Sequence, residues 1–126
     1  SPVYFGLAYV SGRNIFTPVV FLPYLWSFGC KLCDAGGHAD INSPEALAAL
    51  RCFLESLSYS GGATARTWED VVHNFQTGRY AMSILYDSHA VSLTHYTESA
   101  VAGNFCRAAL PGGASLPGVW SLGSIP

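Results

Sequence analysis

An α/β fold in one layered domain is what this sequence predicts, and three observations carry the expectation. Short runs of β-formers alternate with segments of helical spacing, capping residues stand where the helices should begin, and glycines stand where they should stop. At 126 residues the chain is long enough for one core and short for two domains.

Residues 3–10 (VYFGLAYV) read as a buried strand and Ser11-Gly-Arg-Asn14 as a turn. Thr17-Pro18 offers an N-cap followed by proline at the first helical position, where its missing N–H costs nothing. That helix is expected to run to about Phe28 and stop at Gly29, with Pro23 as its weak point. Residues 30–38 read as a strand and turn with Gly36-Gly37 at the tip. The next helix starts in Asn42-Ser-Pro-Glu45. Either Asn42 caps against Glu45, or Ser43 caps with Pro44 first in the helix. Leu47, Leu50, Leu54 and Leu57 fall at helical spacing there, beside Ala46 and Phe53, and Cys52 is expected to face the core. Thr67-Trp-Glu-Asp70 is a second capping signature, followed by Val71, Val72 and Phe75, and Gly78 ends the helix. Residues 80–86 read as a strand, 88–95 as a short helix, 101–110 as a strand and 118–122 as a last strand after a Pro-Gly-Gly loop.

Half the residues are apolar and only 11% are charged, against roughly 25% in ordinary soluble domains. So little charge suggests that part of the surface is hidden against something else, a second copy of the chain included. A net charge of −2, with one lysine and five scattered arginines, argues against a nucleic-acid partner, which needs clustered cations. No run approaches the ~20 apolar residues of a membrane-spanning helix. Both ends read as cut, so a piece of a longer protein is expected.

The stretch Phe75-Gln-Thr-Gly-Arg-Tyr-Ala-Met-Ser-Ile-Leu-Tyr-Asp87 closes a helix on an aromatic, stops it at Gly78 and runs an apolar strand into a Tyr-Asp pair. It places one ring and one carboxylate at the mouth of a sheet, an arrangement suited to a polyhydroxylated small molecule.

Taken in order, the segments resemble the second lobe of an extracytoplasmic solute-binding protein of an ABC sugar importer, of the maltose-binding-protein-like type. The matching residues are Pro23-Tyr-Leu-Trp-Ser-Phe-Gly29, Ile41-Asn-Ser-Pro-Glu-Ala-Leu47, Thr67-Trp-Glu-Asp-Val71, Phe75-Gln-Thr-Gly-Arg-Tyr-Ala-Met82, Ala109-Leu-Pro-Gly-Gly113 and Gly118-Val-Trp-Ser-Leu-Gly123. The chain departs from the pattern at Gly29-Cys30, where a Gly-Gly pair is usual, near Cys33, where an aromatic is usual, and at Gly118-Val119-Trp120, where Gly-Gly-Trp is usual. The resemblance implies a layered αβα lobe of a type II periplasmic-binding-protein clamshell, with residues 1–126 as the C-terminal lobe and an N-terminal lobe elsewhere in the same protein. It implies noncovalent binding of a sugar or polyol, delivery to ABC permease subunits, no cofactor, and a periplasmic or extracytoplasmic, in some forms lipid-anchored, location.

Five residues are candidate ligand contacts. Asp87 and Tyr86 follow a strand, where ligands sit in open α/β sheets; the carboxylate would accept sugar hydroxyls and the ring would stack, the alternative for Asp87 being a helix cap. Trp120 follows a glycine-rich loop at a point where similar proteins present an aromatic to the cleft. Asn14 and Phe16 precede a helix start, whose free N–H groups suit ligand oxygens. Trp68, Tyr24 and Trp26 are expected to pack instead. Few arginines are expected at this site, which weighs against a phosphate. The competing reading is a thiol redox or zinc domain built on Cys30-Lys-Leu-Cys33. A structural zinc site usually shows two close pairs and this chain has one, while a redox motif would open a helix rather than follow one. Asp34-Ala-Gly-Gly-His-Ala-Asp40 lacks the alternating ligands of a calcium loop and reads as a turn. No serine elbow or convergent carboxylate pair speaks for an enzyme.

Overall fold

The computed structural model describes residues 4–61, 65–94, 97, 99–108 and 110. Strands β1 (Phe5–Ala8) and β2 (Tyr80–Ser83) pair in parallel, with Phe5 opposite Tyr80, Leu7 opposite Met82 and Ala8 opposite Ser83. A parallel pair demands a long crossover, and this one holds helices α1 (Phe16–Ser27), α2 (Pro44–Ser58) and α3 (Trp68–Gln76). After β2 a 3-10 turn (Asp87–His89) leads into the one-turn helix α4 (Ala90–Leu93). The α/β class expected from the sequence is the class observed. Among the described residues no helix is long and apolar enough to cross a membrane.

The main core gathers Tyr9, Val10, Val20, Phe53, Val71 and Ile84 between the strands and the helices. A smaller cluster of Leu25, Cys30, Ala46 and Ala49 seals α1 against α2, the two alanines letting the helices approach. Ser56 joins the layers. Its hydroxyl donates to the Phe53 carbonyl at 2.6 Å, which leaves its oxygen to accept from the Tyr9 hydroxyl at 2.9 Å and the Tyr24 hydroxyl at 3.3 Å. Burial pushes the Tyr9 phenol up to about 12 and raises Tyr24 as well.

Two helix starts match the local chemistry expected of them. Ser43 caps α2 by accepting from the Ala46 N–H, with Pro44 first in the helix, so the Asn42 alternative is not used. Thr67 and Asp70 form a reciprocal capping box at α3, and Gly78 leaves that helix with φ +70.

Other expectations need correction. Helix α1 begins one residue before Thr17, because the Asn14 side-chain oxygen accepts from the Phe16 and Thr17 N–H groups at 2.9 and 3.0 Å. The Thr17 hydroxyl donates instead to the Gly12 carbonyl at 2.7 Å, and the helix continues through Pro23. Residues 30–38 form no strand beyond a single Cys33–Ala39 bridge, because Asp34 draws the Gly36 and His38 N–H groups into a turn. On α2 the buried stripe is Ala46, Ala49, Phe53 and Ser56, which leaves Leu47, Leu50, Leu54 and Cys52 exposed. Strand β2 stops at Ser83 rather than Tyr86. Residues 101–108 are not a strand: the Asn104 N–H bonds to the Val101 carbonyl at 2.9 Å, and Gly103 turns the chain with φ +74. The strand expected at 118–122 lies outside the described residues.

Candidate functional site

The chain leaves β1 and β2 at the same edge of the sheet, and the first turns of α1 and α3 arrive there. Past β1, Val10 bridges to Ala65 and the Ser11 N–H bonds to the Ala65 carbonyl at 2.9 Å, which lays residues 10–14 beside residues 65–68. Past β2, the Ile84 N–H bonds to the Ala8 carbonyl at 2.9 Å and aims residues 84–89 at the same place. Carboxyl ends of parallel strands are where ligands of open α/β sheets bind.

A run of rings lines this edge. Trp68, buried in the first turn of α3, lies 6.0 Å from Phe16 and 4.5 Å from Tyr86 between ring centroids, and His89 lies 6.2 Å from it. Trp68 packs, as expected, and by packing it holds Phe16 and Tyr86 in one group. Both of these remain half-buried.

Asp87 stands beside Tyr86, half-buried, and accepts from the Arg107 guanidinium at 2.6 Å. The N-cap position of the turn belongs to Tyr86 and Asp87 is the first residue inside it, so Asp87 is not the cap that the alternative reading expected. The Asn14 oxygen is taken by the α1 N–H groups, and its amide reaches the Ser11 carbonyl only at 3.5 Å. The first N–H groups of the helix, expected from Thr17 to be free for a ligand, are therefore bonded by the chain itself, leaving the Asn14 amide hydrogens as the available polar contact. Trp120 lies outside the described residues.

A hollow of about 360 Å³ opens along this edge, lined by Ser11, Gly12, Arg13, Asn14 and Arg66. A second, more apolar one of about 350 Å³ adjoins it, where Asn14, Thr17, Pro18 and Phe21 face Leu50 and Phe53 of α2. Few arginines were expected here, yet Arg13 and Arg66 line the hollow and Arg107 holds Asp87. Arg13 could have been found from its place in the turn after β1, and Arg66 from its place just before the capping Thr67. Arg107 carried no signal, since its segment read as a strand. At the start of α3 the backbone N–H groups of Arg66 and Thr67 hold the Asp70 carboxyl below its ordinary value, and the backbone N–H of Glu69 does the same for its own side chain.

The cysteines assemble nothing comparable. Cys30 is buried and Cys33 exposed, all four cysteines are free thiols, and no group of three or more potential metal ligands gathers among the described residues.

No protein-family model matches the chain, and no curated protein matches it. Among solved structures it superposes, with a TM-score of 0.80, on an ABC transporter solute-binding protein from Agrobacterium radiobacter K84 in complex with ribitol. That match has 20% identity and covers 91% of this chain and 29% of the other. It superposes with a TM-score of 0.70 on maltose-bound MalE3 of T. maritima, at 35% identity over 87% of this chain and 29% of that one. The first match speaks for the fold alone; the second adds sequence. The first is described as a solute-binding protein and the second holds maltose, and neither supports the thiol reading. In fold the chain matches one segment of each of these two proteins, in sequence one segment of the maltose-bound one, and it spans 29% of the length of each.

Proposed function

We propose that this chain is one lobe, residues 1–126, of a receptor that binds a sugar or polyol without covalent chemistry and hands it to an ABC permease. The observation that carries the reading is the juxtaposition of the half-buried Phe16 and Tyr86 with Asp87 and the polar hollow at the carboxyl ends of two parallel strands. Rings stack on the apolar faces of a sugar, and carboxylates and amides bond its hydroxyls, the usual division of labour in a small-molecule site. The 35% identity to a maltose-bound protein and the likeness to a ribitol-bound one support the solute class. A second lobe elsewhere in the full protein closes over the ligand, Trp120 joins the stacking surface, and the receptor works outside the cytoplasm.

The test is calorimetry on the full-length protein that contains this chain, against a panel of mono- and disaccharides and polyols. Binding of at least one of them is the expected result. Failure of the whole panel, together with turnover in an insulin-reduction assay, would replace this reading with a thiol enzyme using Cys30 and Cys33.

A further inference from the structure

We propose that the hollow lined by Arg13 and Arg66 takes the anionic group, carboxylate or phosphate, of an acidic sugar or sugar phosphate. This rests on the solute-binding reading and narrows its substrate class.

The two arginines enter from neighbouring parallel segments, joined by the Val10–Ala65 bridge and the Ser11 to Ala65 hydrogen bond. Both are exposed, and among the described residues neither guanidinium has an ion-pair or hydrogen-bond partner. The other cations near the strands are already engaged: Arg107 holds Asp87, and Arg79 lies over the Phe5 ring at the opposite end of the sheet. The nearby carboxylates are engaged too. Asp87 is held by Arg107, and Asp70 directs its oxygen to the Arg66 and Thr67 N–H groups; its charge offsets part of the Arg66 field without bonding its side chain. Two unpaired guanidiniums at one hollow repel each other, and an anion between them relieves that repulsion while using their forked donors in pairs. Ser11, Gly12 and the Asn14 amide supply neutral contacts for the hydroxyls of the same solute. A neutral sugar gives the paired charges nothing to neutralise.

The experiment is calorimetry on the full-length protein with glucuronate and glucose 6-phosphate, beside glucose, maltose and ribitol, at low and high salt. One of the anionic solutes is expected to bind about tenfold or more tightly than any neutral one, and salt should weaken it. Arg13→Ala and Arg66→Ala should each cut that binding about tenfold, the scale of a charge-assisted hydrogen bond. They should leave the melting temperature nearly unchanged, since both side chains are exposed. Preference for glucuronate assigns a carboxylate, and preference for glucose 6-phosphate a phosphate. Binding of neutral solutes with no anionic preference overturns the inference and leaves the solute-binding reading standing. An anionic preference untouched by either substitution places the anion elsewhere and also overturns it. Failure of every solute overturns both.

Discussion

The carboxylate of Asp87 and the guanidinium of Arg107 meet at 2.6 Å while both side chains stay about 40% exposed. Water screens such a pair, and exposed ion pairs contribute about 0–1 kcal/mol. Arg107→Ala should therefore lower stability by less than about 1 kcal/mol in a denaturant titration. In the full-length receptor Asp87→Ala should weaken solute binding by about 1.5–3 kcal/mol, the range for hydrogen bonds to a charged acceptor. Asp87→Asn should recover only part of it, because an amide accepts on one side alone. Affinity measured beside thermal stability separates the roles: an Asp87→Ala variant that loses stability and no affinity would move the ligand contact elsewhere. Tyr9 makes a different prediction. Its phenol titrates at about 12 in the fold against an ordinary 10.0, so the folded state holds a proton that the unfolded chain releases. The stability this represents is complete below pH 10 and drains away as pH rises towards 12. Tyr9→Phe should flatten much of that alkaline decline, Tyr24 retaining a share of the same sign, and should cost about 1 kcal/mol at neutral pH through the lost bond to Ser56.

Helix α3 depends on its first turn. Thr67 and Asp70 exchange side-chain-to-backbone hydrogen bonds there, and Thr67→Ala should destabilise by about 1 kcal/mol. The Asp70 carboxyl titrates below its ordinary 3.8 because backbone N–H groups hold the charged form. A depressed carboxyl stabilises the fold above its unfolded value and loses that contribution as pH falls through the folded one. Acid melts of the wild type should therefore show an added drop below about pH 3.8 that Asp70→Ala lacks. The link from α2 back to the sheet makes a steric prediction. Gly61 takes φ +69, and a Cβ there would overlap the Phe5 ring. Gly61→Ala combines left-handed strain of roughly 1–2 kcal/mol with displacement of a ring that packs 5.0 Å from Tyr80 across the strand pair. It should lower the melting temperature more than Thr67→Ala does.

The two four-residue strands among the described residues are too few to stand without helices against them, and Phe53 supplies the contact. That ring touches Tyr9, Phe21 and Tyr24 at 5.7, 5.3 and 5.2 Å, tying the segment after β1 to both α1 and α2. The edge this creates is open. Typical small-molecule sites bury ~70–90% of the ligand, and the two hollows here are open to the outside. The chain spans 29% of each protein it matches. On the proposed function, the isolated 126-residue chain should bind saccharides far more weakly than the full-length protein, by calorimetry on both. Micromolar affinity in the isolated chain would contradict the one-lobe account.

What could be read from the residues alone was local. Ser43-Pro44 and the Thr67–Asp70 box satisfy helix N–H groups within three residues of themselves, and Gly78 supplies a positive φ where a helix must stop. These are near-neighbour effects that any setting preserves, and with the alternation of strand and helix they were enough for the α/β class. They also placed Tyr86 and Asp87 just past a strand. The sidedness of α2 was not of this kind. Helical spacing says which residues share a face and is silent on which face meets a partner; α1 chose Ala46, Ala49 and Phe53, and turned three leucines and Cys52 outward. The chemistry of the edge was likewise decided in three dimensions. Arg13 and Arg66 are 53 residues apart and share a hollow only because two parallel segments pair at Val10 and Ala65; Arg107 reaches Asp87 across 20 residues because a turn, not a strand, follows Ser99. Charges scattered along a chain carry no mark of the neighbours that folding will bring to them.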